Sequence, residues 1–429
     1  MDHLDTEVYN LGPCEIDSPL AVPMFIKEGE RVVVDVEYGK IEQAFKNNGT
    51  ALSFENAGPR KKIFFDPKKT NAAVVTCGGL CPGLNNVIKS IVSLLEYQYE
   101  IDTVYGVKYG YEGLAPEFGH ELVRLTTDNI VDIHEKGGTI LGSSRGQQNI
   151  ATMVDTLVKH NISILFTIGG DGTLKGAQSI FEEVRARGLN IAVVGVPKTI
   201  DNDISYVDRT FGFSTAVSVA TNAVNAAHAE ATGARNGIGI VKVMGRDSGF
   251  IAAYTALASN HVNFVFIPEV KYTMDGKKGF LEQLHQRLLK RGHAVVLVAE
   301  GAGQEYFTGE KQLDASGNVK HSDIGFFMRD SIIDYFKKIN FHINPKYIDP
   351  SYIIRSMPAS ADDAVFCIML AQNAVHAAMA GKSGILVGRW NNYFTFIPIK
   401  LAIGQRKKID PKGYLWSIVK ESVGQPDFT

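Results

Sequence analysis

Five times along this chain a mostly apolar run without polar alternation ends in a turn rich in glycine or acid. The runs are 72–77 (AAVVTC), 163–168 (SILFTI), 191–196 (IAVVGV), 238–243 (IGIVKV) and 294–299 (AVVLVA). The turns after them read GGLCPGLNN, GGDGT, PKTIDND, MGRDSG and EGAGQ. Apolar runs without alternation suit strands covered on both faces, and strands alternating with helices give a mostly parallel, doubly wound sheet. After the second run, Leu174, Ala177, Phe181 and Val184 recur at helical spacing and Gly188 supplies a stop. The expected architecture is α/β: two Rossmann-like, doubly wound α/β domains with a cleft between them, plus an N-terminal extension over 1–70. Ligands of such sheets bind beyond the carboxyl ends of the strands. All five turns lie at such ends.

Composition narrows what those ends can bind. The 429 residues allow two or three domains, and 44 basic against 46 acidic side chains leave a net charge of −2. Without a basic face, general nucleic-acid binding is not expected, and any taste for phosphate must be local. MDHLDTEVYN has no signal-peptide core, and no apolar run is long enough to span a bilayer. A cytoplasmic location with no membrane partner is expected. The four cysteines, two of them in CGGLC, are too scattered for a disulfide framework and lack a second pair at zinc-like spacing, so they are read as reduced thiols.

The turns carry the chemistry. In IGGDGTLKGA, Gly170, Gly172 and the start of a helix would present backbone N–H groups to phosphate oxygens, and Asp171 could hold Mg²⁺. A helix merely capped by an acid is the alternative, and NAD and diacylglycerol kinases carry similar turns. PKTIDND sets Asp201 and Asp203 at a strand end with Lys198 three residues before Asp201. Phosphoryl transfer to a hydroxyl needs an acceptor for its proton, and a nearby cation keeps a carboxylate ionised for that task. An Asx-rich turn beside a solvated lysine is the plainer alternative. Arg246 in MGRDSG suits phosphate or sugar hydroxyls, Glu300 in EGAGQ suits sugar hydroxyls, and Arg145 in GGTILGSSRG could stabilise a phosphoryl group in flight. KYIDPSYIIR places Lys346 and Arg355 nine residues apart, as a phosphomonoester clamp would.

The ordered set GGLCPGLN, GGTILGSSR, GGDGT, PKTIDND, MGR, EGAG and IDPSYIIR resembles the 6-phosphofructokinases, from about Gly58 to about Arg389. GPRKKIFF and IDPSYIIRS are most similar to the plant and trypanosomatid ATP-dependent branch. The resemblance implies transfer of the γ-phosphoryl of MgATP to the 1-hydroxyl of fructose 6-phosphate, in a homo-oligomer (dimer or tetramer). It implies Asp201 as general base, aided by Lys198 and Arg145, and Asp171 as the Mg²⁺ site. Gly79, Tyr111, Arg145 and Gly146 would line the nucleotide, together with Gly170, Asp171, Gly172 and Thr173. Thr199, Ile200, Met244, Gly245, Arg246 and Glu300 would hold the sugar. Tyr352, Ile353, Ile354 and Arg355 would take the 6-phosphate, with Lys346 contributed across a subunit contact. Residues 71–210, completed by part of 353–429, would then bind nucleotide, and 211–352 fructose 6-phosphate.

Lys346 and Tyr352 stand where bacterial relatives have Arg and His. Gly237 replaces a bacterial arginine that reaches a neighbouring subunit, and only Lys89 survives of two cations in the bacterial effector pocket. Pyrophosphate users of this family usually carry Asp in place of Gly172, with a lysine like Lys198. A carboxylate there would repel and crowd the α-phosphate of ATP, so Gly172 favours ATP. Pyrophosphate stays as the second donor. A catalytically inactive sugar-phosphate sensor is the reading from another class, though it would be expected to lose Asp171 or Asp201.

Overall fold

The computed structural model describes residues 4–309, 312 and 319–428. Taken in chain order, the elements that build its two main sheets begin with the short strands β1 (Arg31–Val33) and β2 (Ser53–Asn56). Next come β3 (Asn71–Thr76), α1 (Leu84–Tyr97), β4 (Thr103–Val107), β5 (Val123–Leu125) and α2 (Ile150–Lys159). β6 (Ile162–Gly169), α3 (Asp171–Ala186) and β7 (Ala192–Pro197) follow. The middle of the chain holds α4 (Phe213–Thr232), β8 (Gly237–Val243), α5 (Phe250–Ser259) and β9 (Phe264–Phe266). It continues through α6 (Phe280–Arg291), β10 (His293–Ala299), α7 (Ile324–Lys338), β11 (Asn344–Ile348) and α8 (Ser351–Ser356). α9 (Ala361–Met379), β12 (Ile385–Trp390) and β13 (Tyr393–Pro398) close the list. Each apolar run of the sequence is a strand to within one residue.

The chain divides into two compact units. Unit 1 takes the residues up to Thr199, Ile204–Gly212 and Met357–Arg406; unit 2 takes Ile200–Asp203, Phe213–Ser356 and the residues from Lys407 onward. Unit 1 carries a nine-stranded sheet in the order β1-β2-β13-β12-β7-β6-β3-β4-β5. Its central strands β12, β7, β6, β3 and β4 are parallel, and the outer ones pair antiparallel. Residues 1–70 thus supply the two outermost strands at one side of it, β1 at the edge and β2 next to it. Between neighbours β3 and β6 the connections leave in opposite directions, toward β4 and toward β7. That is the topological switch point at which a doubly wound sheet binds ligands.

Unit 2 has a four-stranded, all-parallel sheet in the order β9-β10-β8-β11. Its switch point falls between β8 and β10 by the same rule. Leu174, Ala177, Phe181 and Val184 of α3 are buried against Leu165 and Val193 of the first sheet. Ile238, Ile240, Val296 and Val298 of the second sheet meet Phe280, Leu284 and Ile332 of α6 and α7. Both cores are continuous apolar layers, the second rich in aromatic rings.

Candidate active site

In unit 1 the motifs converge on the switch point. β6 ends at Gly169, where a Cβ would lie 2.0 Å from Thr173 Oγ1, so only glycine lets the helix start this close to the strand. α3 begins at Asp171, and its first N–H groups have no partner further back in the helix. Tyr111 is buried and donates its hydroxyl proton to the Thr173 carbonyl at 2.7 Å, bracing this first turn. Lys198 is buried; its backbone N–H donates to Gly169 O at 2.9 Å and its Nζ to Gly79 O at 2.5 Å. One lysine therefore ties PKTIDND to both glycine turns. The loop of Arg145 and Gly146 is pinned beside them: Gly78 N–H donates to Ser144 O at 3.1 Å and Ser143 Oγ to Gly78 O at 2.6 Å. Arg145 itself is exposed.

Asp171 is engaged electrostatically. Its Oδ2 lies 2.9 Å from Lys175 Nζ and 3.6 Å from an Nη of Arg406. A Cβ added at the next residue, Gly172, would meet nothing within 4 Å. Cys77 and Cys81 are buried, and burial pushes the Cys77 thiol up to about 12, so it is an inert packing group.

PKTIDND continues into unit 2, to which Ile200, Asp201, Asn202 and Asp203 belong; Thr199 ends the preceding stretch of unit 1. Asn202 adopts φ 55°, a left-handed conformation that asparagine tolerates better than most residues, and it sets the turn that presents Asp201. Lys407 N–H donates to Asp203 O at 2.8 Å.

At the unit 2 switch point, the Arg246 backbone N–H donates to Glu300 Oε1 at 3.0 Å. Arg246 has φ 47°, and a Cβ at Gly301 would come within 1.8 Å of its carbonyl oxygen. MGR and EGAG thus lock together, with Met244 and Gly245 in the same turn. A bulky residue at φ > 0 is costly, and such outliers concentrate at functional sites. Sequence reasoning missed Glu269, whose Oε1 accepts from Gly249 N–H and Ile409 N–H, both at 3.0 Å, and so fixes the start of α5.

Tyr352, Ile353, Ile354 and Arg355 lie together on α8, with Ile354 buried and Tyr352 exposed under the Arg355 guanidinium, 5.1 Å from ring centroid. Lys346 sits exposed in the middle of β11, paired in register with Gly239, and so stands apart from the carboxyl-end cluster. Between them, Lys242 Nζ bridges Asp323 at 2.9 Å and Asp349 at 2.8 Å. Burial opposes the Lys242 charge, but the hydrogen bonds to Asp349 and Asp323 outweigh it and hold its pKa above the ordinary lysine value.

Two doubly wound sheets, each with charged turns at its switch point and one with a glycine-rich helix start bearing an acid, define an α/β protein of the phosphate-binding class. Residues 71–378 match the family described as Phosphofructokinase, and the chain belongs to it. An ATP-dependent 6-phosphofructokinase of Borreliella burgdorferi is 50% identical over 99% of this chain and 98% of its own length. One of Trypanoplasma borreli is 47% identical over 90% of this chain and 80% of its own. The crystal structure of a pyrophosphate-dependent phosphofructokinase from Marinobacter aquaeolei has the same fold, with a TM-score of 0.66 at 23% identity over 80% of this chain and 86% of that one.

Proposed function

We propose that this chain catalyses the ATP-dependent phosphorylation of fructose 6-phosphate at its 1-hydroxyl, giving fructose 1,6-bisphosphate and ADP. The observation that carries the reading is the convergence of CGGLC, GGTILGSSRG, GGDGT and Lys198 of PKTIDND at the switch point of unit 1, around an acid at a helix start. Relatives close to half identical over most of their length are ATP-dependent 6-phosphofructokinases, which supports ATP over pyrophosphate as donor.

Unit 1 would bear the nucleotide, through the N–H groups at Gly170–Thr173 and the turns at Gly79 and Gly146. Lys198 and Arg145 would stabilise the phosphoryl group in transfer. Asp201 would accept the proton of the 1-hydroxyl as that oxygen bonds the γ-phosphorus and the bond from phosphorus to the β,γ-bridging oxygen breaks. Thr199, Ile200, Met244, Gly245, Arg246 and Glu300 would hold the sugar; Tyr352 to Arg355 would hold its phosphate, with Lys346 acting across a subunit contact in a homo-oligomer.

Mg²⁺ suits this donor set. Among the described residues no three acids, histidines or cysteines form a metal cage, and Asp171 stands alone at the helix start. A single carboxylate is what a cation held mostly by phosphate and water oxygens requires. When bound, Mg²⁺ neutralises charge on the phosphates. No described helix is long and apolar enough to cross a membrane.

The test is a coupled assay with fructose 6-phosphate, offering ATP and pyrophosphate in parallel, on the wild type and Asp201→Ser. Turnover with ATP should fall by about 10³-fold or more in the variant while fructose 6-phosphate still binds. Persisting activity would remove Asp201 as base, and turnover with pyrophosphate alone would overturn the donor.

A further inference from the structure

β8 lies between β10 and β11 in the all-parallel sheet of unit 2, where a strand covered on both faces is expected to be apolar. Lys242 breaks its run IGIVKV. By the two-residue period of a strand it continues the row of Ile238 and Ile240, which packs against α6 and α7. A lysine at the end of that row, its side chain only 12% exposed, needs partners for its charge.

It has two, at the starts of two different helices. Asp323 caps α7: its Oδ1 takes the N–H of Gly325 at 2.9 Å and of Phe326 at 3.2 Å, and its Oδ2 takes Lys242 Nζ. Asp349 holds the first residue of α8: its Oδ1 takes the Ser351 N–H at 3.0 Å and the Ser351 hydroxyl, and its Oδ2 takes Lys242 Nζ. Burial raises the Asp349 carboxyl, but the hydrogen bonds from Lys242 and Ser351 outweigh it and leave its pKa below the ordinary aspartate value. α8 has six residues, too few to be stable alone, so what grips it sets its orientation. Ile354 is buried beneath it and Asp349 fixes its start, which leaves Tyr352 and Arg355 together as one cation–π pair. An unneutralised carboxylate just ahead of that pair would also repel a phosphate.

We propose that Lys242 is a positioning residue for the sugar phosphate: by gripping Asp349 it fixes the start of α8, and with it the Tyr352–Arg355 pair, and it neutralises the acid that would repel the ligand. This rests on the assignment of α8 to the 6-phosphate. It is tested by calorimetric binding of fructose 6-phosphate and, separately, of MgATP to the wild type, Lys242→Met, Asp349→Ala and Arg355→Gln, with thermal unfolding followed in parallel. Lys242→Met strands two carboxylates and should weaken fructose 6-phosphate binding about 10-fold or more. Asp349→Ala should weaken it about 3- to 10-fold, although it removes a negative charge, because the start of α8 is freed. MgATP affinity should hold in both, and the melting temperature should stay within a few degrees of wild type. Wild-type affinity for fructose 6-phosphate in either variant, once folded, overturns the proposal. So does tighter binding in Asp349→Ala, which would leave charge alone and not position as the cause. An equal loss for both ligands with a lowered melting temperature also overturns it, making Lys242 a purely structural strap. Wild-type fructose 6-phosphate affinity in Arg355→Gln overturns instead the underlying assignment of α8.

Discussion

Gly172 occupies the second position of α3, and the space where its side chain would stand is open. An aspartate there costs the fold nothing by contact and, in the first turn of a helix, interacts favourably with the dipole. Its effect should therefore fall on the ligand. Gly172→Asp is expected to unfold within a few degrees of wild type, to lose ATP-dependent turnover by about 100-fold or more through repulsion of the α-phosphate, and to spare or create weak turnover with pyrophosphate. Parallel donor assays on the variant decide it, and unchanged ATP turnover would refute the steric account of donor choice.

The central strands were legible because burial on both faces leaves a run such as AVVLVA at 294–299 with no polar residue to interrupt it. The edges were not: β1 and β5 are three residues long and partly exposed, and β11 reads NPKYI, with a proline that only an edge strand tolerates. The same logic divides the site. Glycines and acids at the ends of β3, β6, β7, β8 and β10 announce themselves locally. Arg406 and Glu269 are single residues whose partners lie far away in sequence, so no spacing reveals them. A third long-range cluster ties β2 to the rest of unit 1. Glu55 on β2, itself buried, takes Arg60 at 2.9 Å and Lys382 at 2.8 Å, and the side chains of both cations are at most 3% exposed. Glu28 also reaches both, at 3.3 Å, but is 64% exposed. Removing the buried anion strands two buried cations. Glu55→Gln is expected to cost about 3–5 kcal/mol in urea unfolding, and Glu28→Gln less than about 1 kcal/mol. Equal costs would show that burial is not what sets the strength of this network.

Across the whole molecule, each unit holds a partly buried histidine whose pKa is lowered, which makes the fold sensitive to acid. In unit 1, His376 of α9 meets the Tyr99 hydroxyl through Nδ1 at 2.9 Å, and burial, reinforced by the positive Arg60, lowers its pKa to about 4. In unit 2, His228 of α4 stacks on His261 with centroids 4.0 Å apart and meets the edge of His293 at 5.4 Å. Its pKa is lowered by burial and then by the neighbouring His261, His293 and Arg287. In each case the unfolded chain, with its histidine near 6.5, binds a proton that the folded chain resists. Stability is therefore complete above about pH 6.5 and falls as the pH drops toward 4. For His376 alone the shift is worth about 2 kcal/mol between pH 7 and pH 5, a window above most carboxylate titrations. Urea unfolding at the two pH values should show wild type losing at least that much and His376→Gln losing about 2 kcal/mol less. If the two proteins weaken in parallel over this range, His376 is not a source of the acid sensitivity, and the His228 stack becomes the group to replace next.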